Sequence, residues 1–172
     1  MVIYNSVDLL RESGFCGFVK VAELMNDCAE VPDERGVYLV LNSSGGYPTF
    51  VEKGSGGYFK DKNPNVSIEE LNSKWVESTI VIYIGHVGGV QGGKWSNNTL
   101  RDRIKKYMKF GKGHNVAHYG GRYIWQIKDH KNLIVCWKPL KGRKEDPKKV
   151  ESEMINQFVK IYGNRPFANL IG

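Results

Sequence analysis

A chain of 172 residues is long enough for one domain with a sizeable core and short for two. Hydrophobic residues at 41% and charged residues at 25% are ordinary for a globular protein, and no apolar run is long enough to span a membrane. A formal net charge of +7, with a pI near 9.2, points to a polyanionic partner, nucleic acid first, and weighs against a purely structural or protein-interaction domain.

The start, "MVIYNSVDLLRESGF", has no basic stretch followed by an apolar core and does not read as a signal peptide. Cys16, Cys28 and Cys136 are odd in number and widely spaced, which suits neither a disulfide framework nor a metal-ligand pattern. A cytoplasmic protein with no membrane partner is the expectation. Residues 6–13 and "FVKVAELMNDC" read as two helices, which makes 1–35 an N-terminal helical extension. "GVYLVLNS" is a strand by its Val, Leu and Tyr content. A Gly-rich loop follows, and Ser67 with Glu70 three residues on forms a capping box that opens a short helix. "STIVIYIGHV" is apolar on both faces and is predicted to be a central strand.

"GGVQGGKW" reads as a flexible loop, since it lacks the lysine and hydroxyl ending of a phosphate loop. Leu100, Ile104, Tyr107 and Met108 recur at helical spacing and Gly111 ends that helix. "RYIWQI" and "LIVCWKPL" read as strands joined by the turn "KDHKN". Asp146 as N-cap with Pro147 at the first position starts a last helix that runs to Gly163. The tail "NRPFANLIG" is irregular. The order predicts a single α+β domain: a small central antiparallel or mixed sheet flanked by helices.

Basic residues gather in "LRDRIKKYMKFGKGH" and "KPLKGRKEDPKK", with aromatics between them. Arg101, Lys105, Lys106, Lys109, Lys112 and Arg122 are the candidate nucleic-acid contacts. On a wheel of the last helix, Val150, Met154, Ile155, Phe158, Val159, Ile161 and Tyr162 fill one half, and Glu151 falls in the middle of it. A carboxylate there must be paired with a cation, welcomed by the helix dipole, bound to metal, or placed at a wet cleft. Glu153 is a solvated surface residue.

"GVY" at 36–38, "YIG" at 83–85, "TLRDRI" at 99–104, "VESEMI" at 150–155 and "RPFAN" at 165–169 occur in one order. Together they resemble the GIY-YIG nuclease family, over about residues 36–169. Through "HYGGRYIWQ" and "IVCWKP" the whole chain is also similar to a group of small stand-alone bacterial members. The resemblance implies a metal-dependent endonuclease acting on double-stranded or structured DNA. Residue by residue it implies catalytic roles for Tyr38, Tyr83, Arg103, Glu151 and Asn169. Glu151 would hold Mg²⁺ or another divalent cation such as Mn²⁺. Arg103 would grip the phosphate, and Asn169 would steady the carboxylate or a water.

Tyr38 would serve as general base and Tyr83 would position water or phosphate, though on sequence alone the two exchange roles. Lys53, Lys60 or Lys94 could lower the tyrosine pKa. Two departures from the family pattern stand out. The strand motifs are separated by an insertion at about 43–78, a candidate DNA-contacting or lid element, where many members have a tight hairpin. Tyr107 stands where some members carry a histidine, so His86, His114 or His118 are candidate substitutes. Cutting both strands would need two sites, which a dimer could supply; the sequence leaves the oligomeric state open. The competing reading is a non-catalytic nucleic-acid-binding module with the same fold.

Overall fold

The computed structural model describes residues 4–142 and 144–170; Arg143, within the second basic run, lies outside them. In chain order the elements are α1 (Val7–Glu12), β1 (Cys16–Lys20), α2 (Val21–Asn26), β2 (Gly36–Leu41), α3 (Ile68–Lys74), β3 (Val81–Val87), β4 (Val90–Gln91), β5 (Lys94–Trp95), α4 (Leu100–Gly111), β6 (Ile134–Pro139) and α5 (Pro147–Tyr162). The architecture is α+β, built on a four-stranded sheet ordered β1-β6-β2-β3 with every neighbouring pair antiparallel. Among the described residues no helix is long and apolar enough to cross a membrane.

Strand β2 is buried along its whole length because both faces of the sheet are covered. Alternation along it sends Tyr38 and Val40 to one core, and Val37, Leu39 and Leu41 to the other. The first core is completed by α2, α4 and part of the long 43–78 connection; the second by α1 and α5. Helix α5 buries Met154, Ile155 and Phe158 against the second core, as the wheel predicts, while Ile161 is exposed. The expected caps form: Ser67, Thr99 and Asp146 each accept a hydrogen bond from a first-turn N–H, and Gly163 ends α5 in the left-handed conformation. The side chain of Glu70 does not return to its own cap; it accepts from the Tyr123 hydroxyl at 2.6 Å.

Four local expectations are corrected. The segment taken as a second helix is half strand: Cys16–Lys20 pairs with β6, and only Val21–Asn26 is helical. A bulge between Gly17 and Val19, with positive φ at Gly17 and Phe18, breaks the period-2 pattern that would have announced β1. Residues 1–35 are therefore not a purely helical extension, since they supply one edge of the sheet. "RYIWQI" is not a strand: Arg122–Gln126 is a buried 3₁₀ turn entered through Gly121 at φ +74°, and only Ile127 makes a bridge, to Phe50. "GGVQGGKW" is not a flexible loop; it folds as the β4–β5 hairpin, with Gly92 and Gly93 both at positive φ as a type I′ turn requires.

The fourth correction concerns β3, which is an edge strand rather than a central one. Its continuous apolar run reports two covered faces. Its open edge is closed by the 168–169 segment. Ala168 N–H donates to Ile82 O at 2.8 Å. The Asn169 amide both accepts from Ile84 N–H at 2.9 Å and donates to Ile84 O at 2.8 Å, so the side chain imitates a neighbouring strand. Asn169→Ala is expected to lower stability by about 1–3 kcal/mol, because both groups of Ile84 lose their partners. Urea denaturation checks this; an unchanged midpoint would mean that water replaces the amide at no cost.

Candidate functional site

The β2–β3 pairing places Tyr38 opposite Gly85 and Val40 opposite Tyr83, so the two tyrosines stand diagonally on one face. Their ring centroids are 5.9 Å apart. The insertion between the strand motifs does not prevent the pairing, since loop closure cost grows slowly with length. Helix α4 crosses this face, and Tyr107 packs edge-on to both Tyr38 and Tyr83. Arg103, one turn earlier on α4, sits among Tyr38, Tyr83 and Glu151. Burial opposes its charge, but these neighbours favour it and the guanidinium stays cationic. Its Nε is buried without a hydrogen-bond partner.

Burial pushes the pKa of all three tyrosines up. Tyr83 and Tyr107 lie well above the ordinary value; the Arg103 charge opposes the rise at all three, and at Tyr38 it is joined by hydrogen bonds from Tyr83 and Arg103. Tyr38 is fully buried and Tyr83 is 7% exposed. His118, on the loop that follows α4, covers Tyr38. Its ring lies flat on Tyr107 with centroids 4.0 Å apart, and its Nε2 is 3.4 Å from the Tyr38 hydroxyl. Burial first, and then Arg103, push the His118 pKa down to about 3, so the imidazole is neutral.

Glu151 leaves the apolar half of α5 toward the end of β3, where its Oε2 takes the Nδ1 of His86 at 2.8 Å. Its partner is thus a histidine rather than the Arg or Lys a simple ion pair would suggest. Its side chain is 19% exposed, and its other oxygen has no protein partner among the described residues. His86 and Arg103 both line an open cleft of about 310 Å³, floored by the Gly88–Gln91 segment and bordered by Asp102, Lys106 and Lys148. Among the described residues no group of three or more His, Cys, Asp or Glu gathers that could hold a metal ion alone. A lone, partly exposed carboxylate with one free oxygen fits a hydrated hard cation such as Mg²⁺, which keeps most of its waters. It does not fit a cation that needs an all-protein cage.

Asn169 does not reach this carboxylate, because its amide is committed to Ile84. The basic residues of α4 divide by face. Arg103 and Lys106 share the cleft side, while Lys105 and Lys112 lie near Cys28 on the α2 side, and Lys109 is exposed between them. Arg101 is a clamp rather than a free surface cation. It donates to Val31 O at 2.8 Å and Ala29 O at 3.1 Å, and pairs with Asp33 at 2.6 Å. Arg122 lies over the Tyr119 ring at 3.9 Å and lines a separate groove with Lys74 and Arg165. Tyr107 donates to Gly121 O at 2.6 Å and is a packing residue. No pairing of Lys53, Lys60 or Lys94 with the tyrosines is present among the described contacts. Sequence reasoning missed Lys148 on the cleft rim, although it stands three residues before Glu151 and so on the same face of α5.

In physical terms the cleft offers a permanent cation, a lysine on each side and an imidazole, with the carboxylate that holds this imidazole and a buried tyrosine pair behind them. That set suits an anionic phosphodiester. Compared with protein-family models, with curated proteins and with solved structures, the chain matches none.

Proposed function

We propose that the chain is a metal-dependent DNA endonuclease of the GIY-YIG type, hydrolysing phosphodiester bonds in the cleft between β3, α4 and the start of α5. The observation that carries this reading is the gathering of Tyr38, Tyr83 and Glu151, from elements far apart in the chain, around Arg103, which lines the basic cleft; Glu151 is tied to the cleft through its bond to His86. Arg103 donates to the phosphate oxygens, preferably through two parallel N–H groups, from its place on the cleft wall. Lys106 and Lys148 hold the flanking backbone. The tyrosine pair orients the attacking water through its hydroxyls, and the proton that the water loses passes to solvent in the open cleft. His86 fixes the Glu151 carboxylate, as an imidazole beside a metal ligand commonly does. When bound, Mg²⁺ or Mn²⁺ would offset charge gathering on the phosphate oxygens and assist the leaving oxygen.

The test is nicking of supercoiled plasmid with Mg²⁺, beside a Glu151→Ala variant and an EDTA control. Cleavage by wild type alone supports the reading. The second reading, a non-catalytic DNA-binding module, is favoured by the full burial of Tyr38. Salt-dependent DNA binding with no cleavage under any divalent metal would give it the lead. The division of α4 supplies a further expectation. Lys106→Ala weakens DNA binding and lowers the slope of log K against log salt by about one. Arg101→Ala leaves that slope unchanged and lowers stability by about 1 kcal/mol. Equal slopes for the two variants would refute the division.

A further inference from the structure

The Tyr38 hydroxyl has a defined neighbour that no strand or helix motif specifies. The Nδ1 of His118 lies 3.0 Å from the carbonyl oxygen of Gly120. A carbonyl can only accept, so Nδ1 carries the ring proton. In a neutral imidazole the other nitrogen is then a bare acceptor. That nitrogen, Nε2, faces the Tyr38 hydroxyl at 3.4 Å, a long hydrogen bond of the kind that tightens when substrate binds. The ring cannot turn away, because it is 2% exposed and stacked on Tyr107. Tyr107 is itself anchored by its bond to Gly121 O.

Resting on the nuclease reading above, we propose that His118 is a positioning residue that fixes the Tyr38 hydroxyl hydrogen toward itself and turns the oxygen lone pairs toward Arg103 and the cleft. Tyr38 is thereby set as the hydrogen-bond acceptor of the pair, its oxygen receiving an O–H or N–H from the cleft side, and Tyr83 is left as the donor that holds water or phosphate. No proton is transferred to His118: its burial, and then the Arg103 charge, disfavour an imidazolium, so the ring acts as a neutral acceptor that orients the hydroxyl.

Two measurements test this. The first needs no activity: the ring nitrogens of His118 are observed by NMR in wild type and in Tyr38→Phe. The expected result is a proton on Nδ1, with an Nε2 resonance that shifts when the hydroxyl is removed. A proton on Nε2, or an unmoved resonance, overturns the proposal. The second is kinetic. His118→Phe keeps the stack on Tyr107 but removes the acceptor, and kcat is expected to fall roughly 10–100-fold with KM within about twofold. His118→Gln, whose amide oxygen can accept from Tyr38, is expected to recover most of that loss. Adding His118→Phe to Tyr38→Phe should cost nothing further, since His118 acts only through Tyr38. A folded His118→Phe with wild-type kcat, or additive losses, rejects the idea. A wild type that never cuts DNA defeats the nuclease reading instead, and the NMR result then decides the bond alone.

Discussion

Glu151→Gln is expected to lose DNA cleavage by about 10³-fold, equivalent to several kcal/mol of transition-state stabilisation. The substitution keeps the shape of the side chain and an amide oxygen for the Nδ1 of His86, which now sits 2.8 Å from the carboxylate. Folding stability should therefore fall by less than about 1 kcal/mol. What disappears is the negative charge, and with it the attraction for a hydrated divalent cation. Calorimetry with Mn²⁺, thermal denaturation and plasmid nicking on the same preparation separate these effects. Retained cleavage would leave Glu151 as nothing more than the partner of His86. A collapse of stability together with activity would point the same way, to a structural pair.

Gly85→Ala is expected to damage fold and activity together. Gly85 faces Tyr38 across the β2–β3 pair. A Cβ added there would stand 2.5 Å from Tyr38 Cζ and 2.7 Å from its hydroxyl oxygen. The ring has no room to yield, since it is fully buried against Tyr83, Tyr107 and His118. Overpacking of this kind costs about 1–3 kcal/mol. A tyrosine displaced by even ~1 Å would lower cleavage on the order of 10²-fold. DNA affinity should stay near wild type, because the basic face of α4 is untouched. Urea denaturation, nicking and a DNA-binding titration form the check. A variant with normal stability and normal nicking would show that Tyr38 does not lie over Gly85. The glycine of "YIG" is thus required by the tyrosine of "GVY", and the two tripeptides encode one packing contact.

Much of the scaffold is readable from local physics. The strands β2, β3 and β6 are continuous apolar runs, and α4 and α5 carry both helical periodicity and capping residues at their starts. The misplaced elements share a cause: their form is set by partners distant in sequence. β1 is a strand only because β6 accepts its bulged edge. Arg122–Gln126 has the aromatic and β-branched content of a strand, but the chain needs Trp125 and Ile124 buried on a tight turn. At the site, the wheel flags Glu151 because its position conflicts with its chemistry. Its bond to His86 is not foreseeable, since that depends on the register of β3 and the crossing of α5. The contact of His118 with Tyr38 joins residues brought together only by the loop after α4. Asn169 is the opposite case: the resemblance implies a place at the site, while its amide satisfies the backbone of Ile84.

That task has a consequence for how the chain is made. The residues that close the open edge of β3 follow all four strands of the sheet in chain order. During synthesis the sheet can therefore assemble while its tyrosine-bearing edge is still bare, ready to pair with the same edge of a neighbouring nascent chain. Ala168 and Asn169 take the place of a partner strand along that edge. A chain released before residue 168 would be complete in every strand and still prone to stick to its own copies.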